Sequence, residues 1–483
     1  MTGSPLTLFN SISRNLEPFA PADGRTARVY SCGPTVYNFA HLGNLRAYVF
    51  TDTLRRTLLF KGWDVRHVIN ITDVGHLTSD ADAGEDKMEL AAAGLGKDIW
   101  EVAAFYTAAF KANIRDLNII DPTIWSVATD HIAEMIAFAE RIAPGHCYQI
   151  DSGLYFDVTT VPDYGRLARS VSDANVVEGG ESRIDPVSGK RNPADFAIWR
   201  KSPPGERRQM EWDSPWGRGA PGWHLECSVM SLKYLGPEPF DIHTGGIDHR
   251  EIHHPNEIAQ NQAYCDCSAD RPGFTGARFW MHNNFLVDRT GKMSKSGGGF
   301  TTLQSLIDAG VHPLAYRLLC LTAHYRSELE FSGEAVGAAL TRLKRMVMAA
   351  EKLGSASGTP AQSYVDRLDA ALSEDLNTPQ ALVALDELLA DKKIAPADRR
   401  ATLGVFDSAL GLKLLDLKRA ELRVRPVAAA VTEQEIEARL DERQQARAAK
   451  DFARSDAIRD ELIAAGVEVM DGDPLRWEWK VAL

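Results

Sequence analysis

The chain has 483 residues, 44% hydrophobic and 25% charged, with a formal net charge of −12. That length predicts two to four domains, and the acidic balance excludes nucleic-acid binding by the surface at large, so any such contact needs a local basic face. Six cysteines are too few for a disulfide scaffold and fit a reducing compartment with metal or catalytic use; with no apolar run near the roughly 18 residues of a membrane span and no N-terminal targeting pattern, the expectation is a cytoplasmic protein without membrane contact.

Residues 28–32 (RVYSC) read as a short strand that must stop at Gly33–Pro34. Over 44–61, Leu45, Val49, Leu54 and Leu58 make one helical stripe, ended by Gly62. Residues 65–72 (VRHVINIT) are β-branched and suit a buried parallel strand. Strand, helix, strand is a βαβ unit and predicts a parallel sheet. Residues 131–205 are turn-rich and polar and read as an insertion into that sheet. The pattern then resumes with a helix at 223–235, a strand at 240–243, a helix at 253–264 and a strand at 278–287. Beyond 300 the strands give way to helical periodicity until about 415, with a linker at 355–363. A second linker at 424–431 leads to one long helix over 433–465, stopped by Gly466, and a tail with Trp477 and Trp479. The expected fold class is α/β: a Rossmann-like parallel-sheet catalytic domain split by an insertion, then an all-α helical bundle and a small C-terminal domain. The expected divisions are 1–130, 131–205, 206–300, 301–423 and 424–483.

Two motifs suit the handling of a reacting phosphate. HLGN at 41–44 lies at a strand-to-helix turn, where backbone N–H groups and the helix dipole face an anion. His41 is placed to donate to a phosphate oxygen, Asn44 to donate or cap, and Gly43 to let a nucleotide approach. Alone, this motif reads better as a capped helix with a surface histidine. KMSKS at 292–296 is more specific, since a chance match to five fixed residues is on the order of one in ten thousand. Lys292 and Lys295 offer ammonium groups to phosphates. Together the motifs fit adenylation, in which a carboxylate attacks the α-phosphate of ATP, pyrophosphate leaves, and charge builds on phosphate oxygens.

Cys32, Cys227 and the pair His253 and Glu257 supply ordinary zinc donors. The pair is spaced i, i+4 and leaves one face of a helix. Cys32 and Cys227 are far apart, and spacing alone does not join them. Cys147 and Cys320 read as small core residues, while Cys265 and Cys267 form a CxC that could bind metal but has no second pair nearby. The residues as a set suggest a zinc-dependent enzyme that adenylates a small substrate.

The segments SCGPTVYNFAHLGNLRAYVFTD (31–52), NITDV (70–74), GWHLECSVM (222–230), FDIHTGGIDH (240–249), HHPNEIAQ (253–260) and KMSKS occur in this order in cysteinyl-tRNA synthetases, and the chain resembles that class I aminoacyl-tRNA synthetase family from about residue 7 to 480. The resemblance implies activation of L-cysteine with ATP and transfer to the 3′ end of tRNA(Cys), with Mg2+ accompanying ATP. It implies one zinc per chain on Cys32, Cys227, His253 and Glu257, a cysteine pocket with Thr72 and Trp223, and Asp248 on the ATP ribose. His41, Asn44, Lys292 and Lys295 would be catalytic, and Gly43 would join His41, Asn44 and Lys295 on ATP. Residues 373–383 (SEDLNTPQALV) resemble a helical-bundle signature of the family, and 424–483 would bind the anticodon, in a monomer.

Arg439, Arg443, Arg447, Lys450 and Arg454 recur every three or four residues on the predicted last helix. Such a stripe suits a phosphate backbone; alternatively it is a solvated face laced with ion pairs to Glu435, Asp441, Asp451 and Asp456. Trp477 and Trp479 could stack on unpaired bases or close a small core. The chain departs from the family pattern at 75–88, which is longer, at Pro255, at the GGGF after KMSKS and in the tail GDPLRWEWK. A rival reading is a ligase joining cysteine to a small amino sugar. It would share the segments up to KMSKS but lack the terminal module, and the basic stripe argues against it.

Overall fold

The computed structural model describes residues 3–74, 87–168, 187–203, 205, 208–265, 274–288, 291–292, 301–481 and 483. Its centre is a 5-stranded parallel sheet, in spatial order Ala277–Asn283, Phe240–Gly246, Thr26–Ser31, Asp64–Ile71 and Ile124–Val127. The expected strands at 28–32 and 65–72 are both there, buried on both faces toward their carboxyl ends. Between them runs the helix Leu42–Phe60, which buries Leu45, Val49, Leu54 and Leu58 as their spacing predicts. Gly62 follows it at φ +82°, a turn that a side chain would strain. The chain builds outward from Thr26–Ser31 in one direction, then returns to add Phe240–Gly246 on the other side. This reversal leaves a crevice at the carboxyl ends of the two central strands, the usual ligand site of such sheets.

Three expectations need correction. The strand expected over 278–287 is two strands, Ala277–Asn283 in the main sheet and Leu286–Asp288, which pairs instead with Gly291–Lys292 and Leu329–Glu330. The asparagines between them take local backbone partners: Asn283 Nδ2 donates to the Asn284 carbonyl at 3.0 Å, and Asn284 Oδ1 accepts from the Phe285 N–H at 2.8 Å, which ends the ladder. Strands also do not vanish after 300, since Leu329–Glu330, Val467–Val469 and Trp477–Trp479 are present. The long helix expected over 433–465 is two helices, Glu433–Ala448 and Phe452–Ala464. Lys450 breaks it at φ +62°, and Asp451 restarts it by accepting from the Arg454 N–H at 3.0 Å.

The two helices fold back on each other around Ile436, Leu440, Ile458 and Leu462, and Trp477 and Trp479 close that core at 0% and 4% exposure. Arg419 ties this unit to the helices before it through Asp473 and Glu478, at 2.6 and 2.9 Å, and Lys344 also pairs with Glu478. The linker between them is pinned, with the Val427 N–H donating to the Asp308 carbonyl at 2.8 Å. The turn-rich region carries a 4-stranded antiparallel sheet, Cys147–Ile150, Gly153–Phe156, Phe196–Lys201 and Gly219–Pro221, so it reaches past 205 to Pro221.

Candidate active site and metal centre

A cleft of about 360 Å³ opens at the carboxyl ends of the central strands. His41, Gly43 and Asn44 line it, as do Thr72, Trp223 and Asp248. Cys32, Cys227 and His253 reach it as well, whereas Glu257 is fully buried. Cys32 follows directly from the central strand, at a bend that only glycine can continue: a Cβ on Gly33 would lie 1.5 Å from the Asn70 carbonyl oxygen. The Gly33 N–H donates to Asn70 Oδ1 at 2.7 Å, Asn70 Nδ2 to Thr72 Oγ1 at 3.0 Å, and Thr72 Oγ1 to Glu226 Oε2 at 2.7 Å. This chain of bonds fixes the Cys32 turn and Thr72 against the helix Trp223–Leu235, which carries Cys227.

Thiol, imidazole and carboxylate atoms of Cys32, Cys227, His253 and Glu257 all lie within 4.8 Å of one another. Glu257 Oε1 is buried without a well-aligned hydrogen bond and faces His253 Nε2 at 3.0 Å, as two donors converging on one point would. The chemistry of this set, soft sulfur with imidazole and carboxylate, fits a transition-metal ion in tetrahedral coordination. A second group shares Cys32 and Glu257 but uses His243 and His254. There Cys32 Sγ lies 3.3 Å from His254 Nε2, and His243 Nε2 lies 2.9 Å from Glu257 Oε2. Neither His243 nor His254 lines the cleft, whereas Cys227 and His253 both do, so the first group is the one that would present a metal to a substrate. His253 is held in its orientation from two sides: its Nδ1 meets His224 Nδ1 at 2.9 Å, and Trp223 stacks on its ring at 4.4 Å and 24°.

Burial and mutual charge set the protonation of this group. Burial pushes the Cys32 thiol well up, and the neighbouring Cys227 and Glu257 add to the shift. Burial would also raise Cys227, but its hydrogen bond with Cys32 and the cationic His253 overcome this and bring it to about 6. His253 resists burial through its pairing with Glu257 and is raised to about 10. Glu257 is likewise held at about 2, against burial, by His243 and His253. The buried Glu226 carboxyl is pushed well up by burial and by the adjacent Cys227.

His41 caps the helix Leu42–Phe60. Its Nδ1 accepts from the Asn44 N–H at 3.1 Å, and Asn44 Oδ1 accepts from the His41 N–H at 3.3 Å, a reciprocal capping box. Because Nδ1 accepts, the ring proton of neutral His41 sits on Nε2. A Cβ on Gly43 would lie 3.0 Å from the His41 ring, so the glycine makes room for the imidazole as well as for a ligand. The Leu42 N–H donates to the Thr301 carbonyl at 2.9 Å, and Thr302 bridges to His41, so the chain just after KMSKS lies against HLGN. At the start of KMSKS, Lys292 pairs with Val287 across a short antiparallel ladder, and Leu286 on the same strand as Val287 lines the cleft. Lys295 lies outside the described residues, as do Cys267 and 75–86 of the longer segment.

Residues 18–341 match the family model of the class I (C) tRNA synthetase catalytic domain, and 432–479 match that of the cysteinyl-tRNA ligase anticodon binding domain. The chain is 63% identical to the cysteine–tRNA ligase of Novosphingobium aromaticivorans, covering 99% of this chain and 98% of that one. The chain belongs to the cysteinyl-tRNA synthetase family.

A second relative, the cysteine–tRNA ligase of Zymomonas mobilis, is 56% identical over 99% of this chain and 98% of that one. Among solved structures, the methionyl-tRNA synthetase of Mycobacterium tuberculosis bound by methionyl-adenylate aligns at a TM-score of 0.52 and 16% identity, over 84% of this chain and 97% of that one. A ternary LeuRS–tRNA–LeuAMS complex from Agrobacterium radiobacter aligns at 0.56 and 12%, over 94% and 95%. These likenesses establish the class I synthetase fold. Family membership makes the chain an aminoacyl-tRNA ligase, and the buried Cys/His/Glu group gives it a place for a metal.

Spacing gave no sign of His224, His243, His254 or Glu226, which support the metal group from behind. HLEC, FDIH and HHPNE place them in or beside the motifs in sequence, but only the fold turns them inward. The basic stripe changes character. Arg443 pairs with Asp471, Arg447 with the same carboxylate, and Arg439 and Arg454 both with Glu442 and Glu461. These arginines are ion-paired, Arg443 while buried and the others at the surface: the break at Lys450 brings Arg439 and Arg454 to shared carboxylates, and the turn at Asp471 takes Arg443 and Arg447.

Proposed function

We propose that this chain is a cysteine–tRNA ligase that converts L-cysteine and ATP to cysteinyl-adenylate and then charges tRNA(Cys), with one zinc ion at Cys32, Cys227, His253 and Glu257. The observation that carries this reading is the opening of that donor group onto the same cleft as the HLGN helix start, in a chain similar over its full length to cysteine–tRNA ligases. Zinc there would take the substrate thiol as a thiolate ligand, and a serine hydroxyl far less well. A site built around such a partner rejects an analogue lacking it by about 10⁴–10⁵.

The protein's own groups do the rest. Trp223 and Thr72 wall the cysteine side of the cleft. His41 Nε2–H, the Asn44 side-chain amide and the Gly43 N–H at the start of the helix Leu42–Phe60 face the phosphates, whose charge rises as the carboxylate oxygen bonds to α-phosphorus and pyrophosphate departs. Lys292 and Lys295 carry positive charge to the leaving phosphates, with Mg2+ accompanying ATP. Asp248 takes the ribose, beside Gly246, where a Cβ would come within 2.5 Å of its Oδ1. The expected division into 1–130, 131–205, 206–300, 301–423 and 424–483, with its second boundary carried past Pro221 by the strand Gly219–Pro221, assigns adenylation to the first and third segments and anticodon contact to the last. The protein acts in the cytoplasm as a monomer; no helix among the described residues is long and apolar enough to cross a membrane.

ATP–pyrophosphate exchange with cysteine and with serine, followed by charging of tRNA(Cys), tests the reading. Cysteine-dependent exchange without serine exchange, plus charging, is expected. Exchange without any charging would favour a small amino-sugar acceptor.

A further inference from the structure

Three aromatic rings meet at the mouth of the cleft. Phe39, two residues before His41, is 45% exposed, and Phe105 on the helix Ile99–Asp116 is 48% exposed. Their centroids are 5.9 Å apart, and each sits 5.1 Å from Tyr106, which is buried and lines the cleft. Lys97 Nζ stands 5.3 Å over the Phe105 ring. Inside the cleft, Lys87 repeats the arrangement over Tyr37 at 5.6 Å. Adenylation as derived above uses none of these rings. Two adjoining phenylalanines left half in water are a surface suited to a partner.

The chemistry of that partner follows from the mixture. Nucleobases offer flat π-faces that stack on aromatic rings whatever their sequence, and phosphates between them take lysine ammonium groups. Lys97 stands at the start of the helix Ile99–Asp116 beside the exposed Asp98 and Glu101, and its ammonium, held over the Phe105 ring, is the cation offered to an anionic strand. Phe39 continues into the cleft, so a strand laid across the rings would lead its end toward the adenylate. We propose that Phe39 and Phe105, with Lys97, form a stacking platform for the unpaired bases at the 3′ end of tRNA during transfer. This rests on the tRNA-charging reading above.

The test uses the full-length, metal-loaded protein with Phe105→Ala and Lys97→Ala, neither residue lining the cleft. Cysteine-dependent ATP–pyrophosphate exchange should stay within twofold of wild type. Single-turnover transfer from preformed adenylate at subsaturating tRNA should fall by about tenfold for Phe105→Ala, the size of one lost base stack. Phe105→Trp should restore it. The affinity difference between wild type and Phe105→Ala should disappear with tRNA trimmed of its unpaired 3′ nucleotides. Unchanged transfer, a matching fall in exchange, or an affinity loss that persists with trimmed tRNA would each overturn the platform. A wild-type protein without cysteine-dependent exchange would remove the parent reading alone. The comparison of intact with trimmed tRNA would still decide for or against the rings.

Discussion

Arg443 donates from both terminal nitrogens to the two carboxylate oxygens of Asp471, at 2.6 and 2.9 Å, while its own side chain is almost fully buried. The pair joins the helix Glu433–Ala448 to the turn before Trp477–Trp479 and so holds the small C-terminal core together. A guanidinium placed this way is a structural clamp.

Arg443→Ala should therefore lower the stability of the terminal unit by about 1–2 kcal/mol, the range for a charge-assisted bidentate contact with one exposed partner. Its effect on tRNA affinity below the melting range should be small. Lys450 is exposed and has no ion pair among the described residues, and Lys450→Glu should do the reverse, weakening tRNA binding and reducing its salt dependence with little change in melting. Thermal unfolding beside filter binding at two salt concentrations separates the two. A large affinity loss in Arg443→Ala at unchanged stability would restore the phosphate-binding role.

Two overlapping donor groups make the choice of histidine decisive. His253→Ala should lose the metal together with cysteine activation, and Cys227→Ser should do the same, because both belong only to the group that opens on the cleft. His254→Ala should keep the metal. Metal content of the purified variants checks this, and the opposite pattern would move the ion to the deeper His243/His254 group.

His41 has two jobs that substitution can separate. His41→Ala removes both the helix cap, costing about 1 kcal/mol of stability, and a phosphate contact, slowing adenylate formation by about 10²–10³. Asparagine is a good cap without the imidazole, so His41→Asn should recover the stability and leave the rate low. Rapid-quench adenylation with parallel melting curves is the measurement; recovery of the rate in His41→Asn would show that His41 acts only as a cap.

Metal uptake should release protons. In the metal-free site near pH 7, His253, raised to about 10, holds its proton, and so does Cys32, pushed up by burial. Cys227 at about 6 and Glu257 at about 2 are already ionised. A metal must displace the protons on His253 and Cys32, so about two should leave per ion and affinity should rise with pH through neutrality. Below pH 6 Cys227 takes up a proton as well, and the fall should steepen. Calorimetric titration with zinc in buffers of different ionisation enthalpy counts them; a pH-independent affinity from 6 to 8 would contradict this protonation pattern.

Much of this protein is determined locally and is therefore legible in its sequence. The helix Leu42–Phe60 is fixed by its apolar stripe and its His41–Asn44 cap, and the strands Thr26–Ser31 and Asp64–Ile71 by β-branched runs with a Gly–Pro stop. The His253–Glu257 pair follows from helical spacing alone. Interactions between distant segments decided the rest. Cys32 and Cys227 meet only because the strand order reverses between Thr26–Ser31 and Phe240–Gly246. The imidazoles behind the metal group turn inward only when that sheet closes over them. A charged helical pattern conceals a break at Lys450, because the reward for breaking, a core of Ile436, Leu462 and Trp477, exists only after the chain has folded back. Short-range propensity and periodicity act within a few residues, whereas burial and charge pairing depend on which segments the fold makes neighbours.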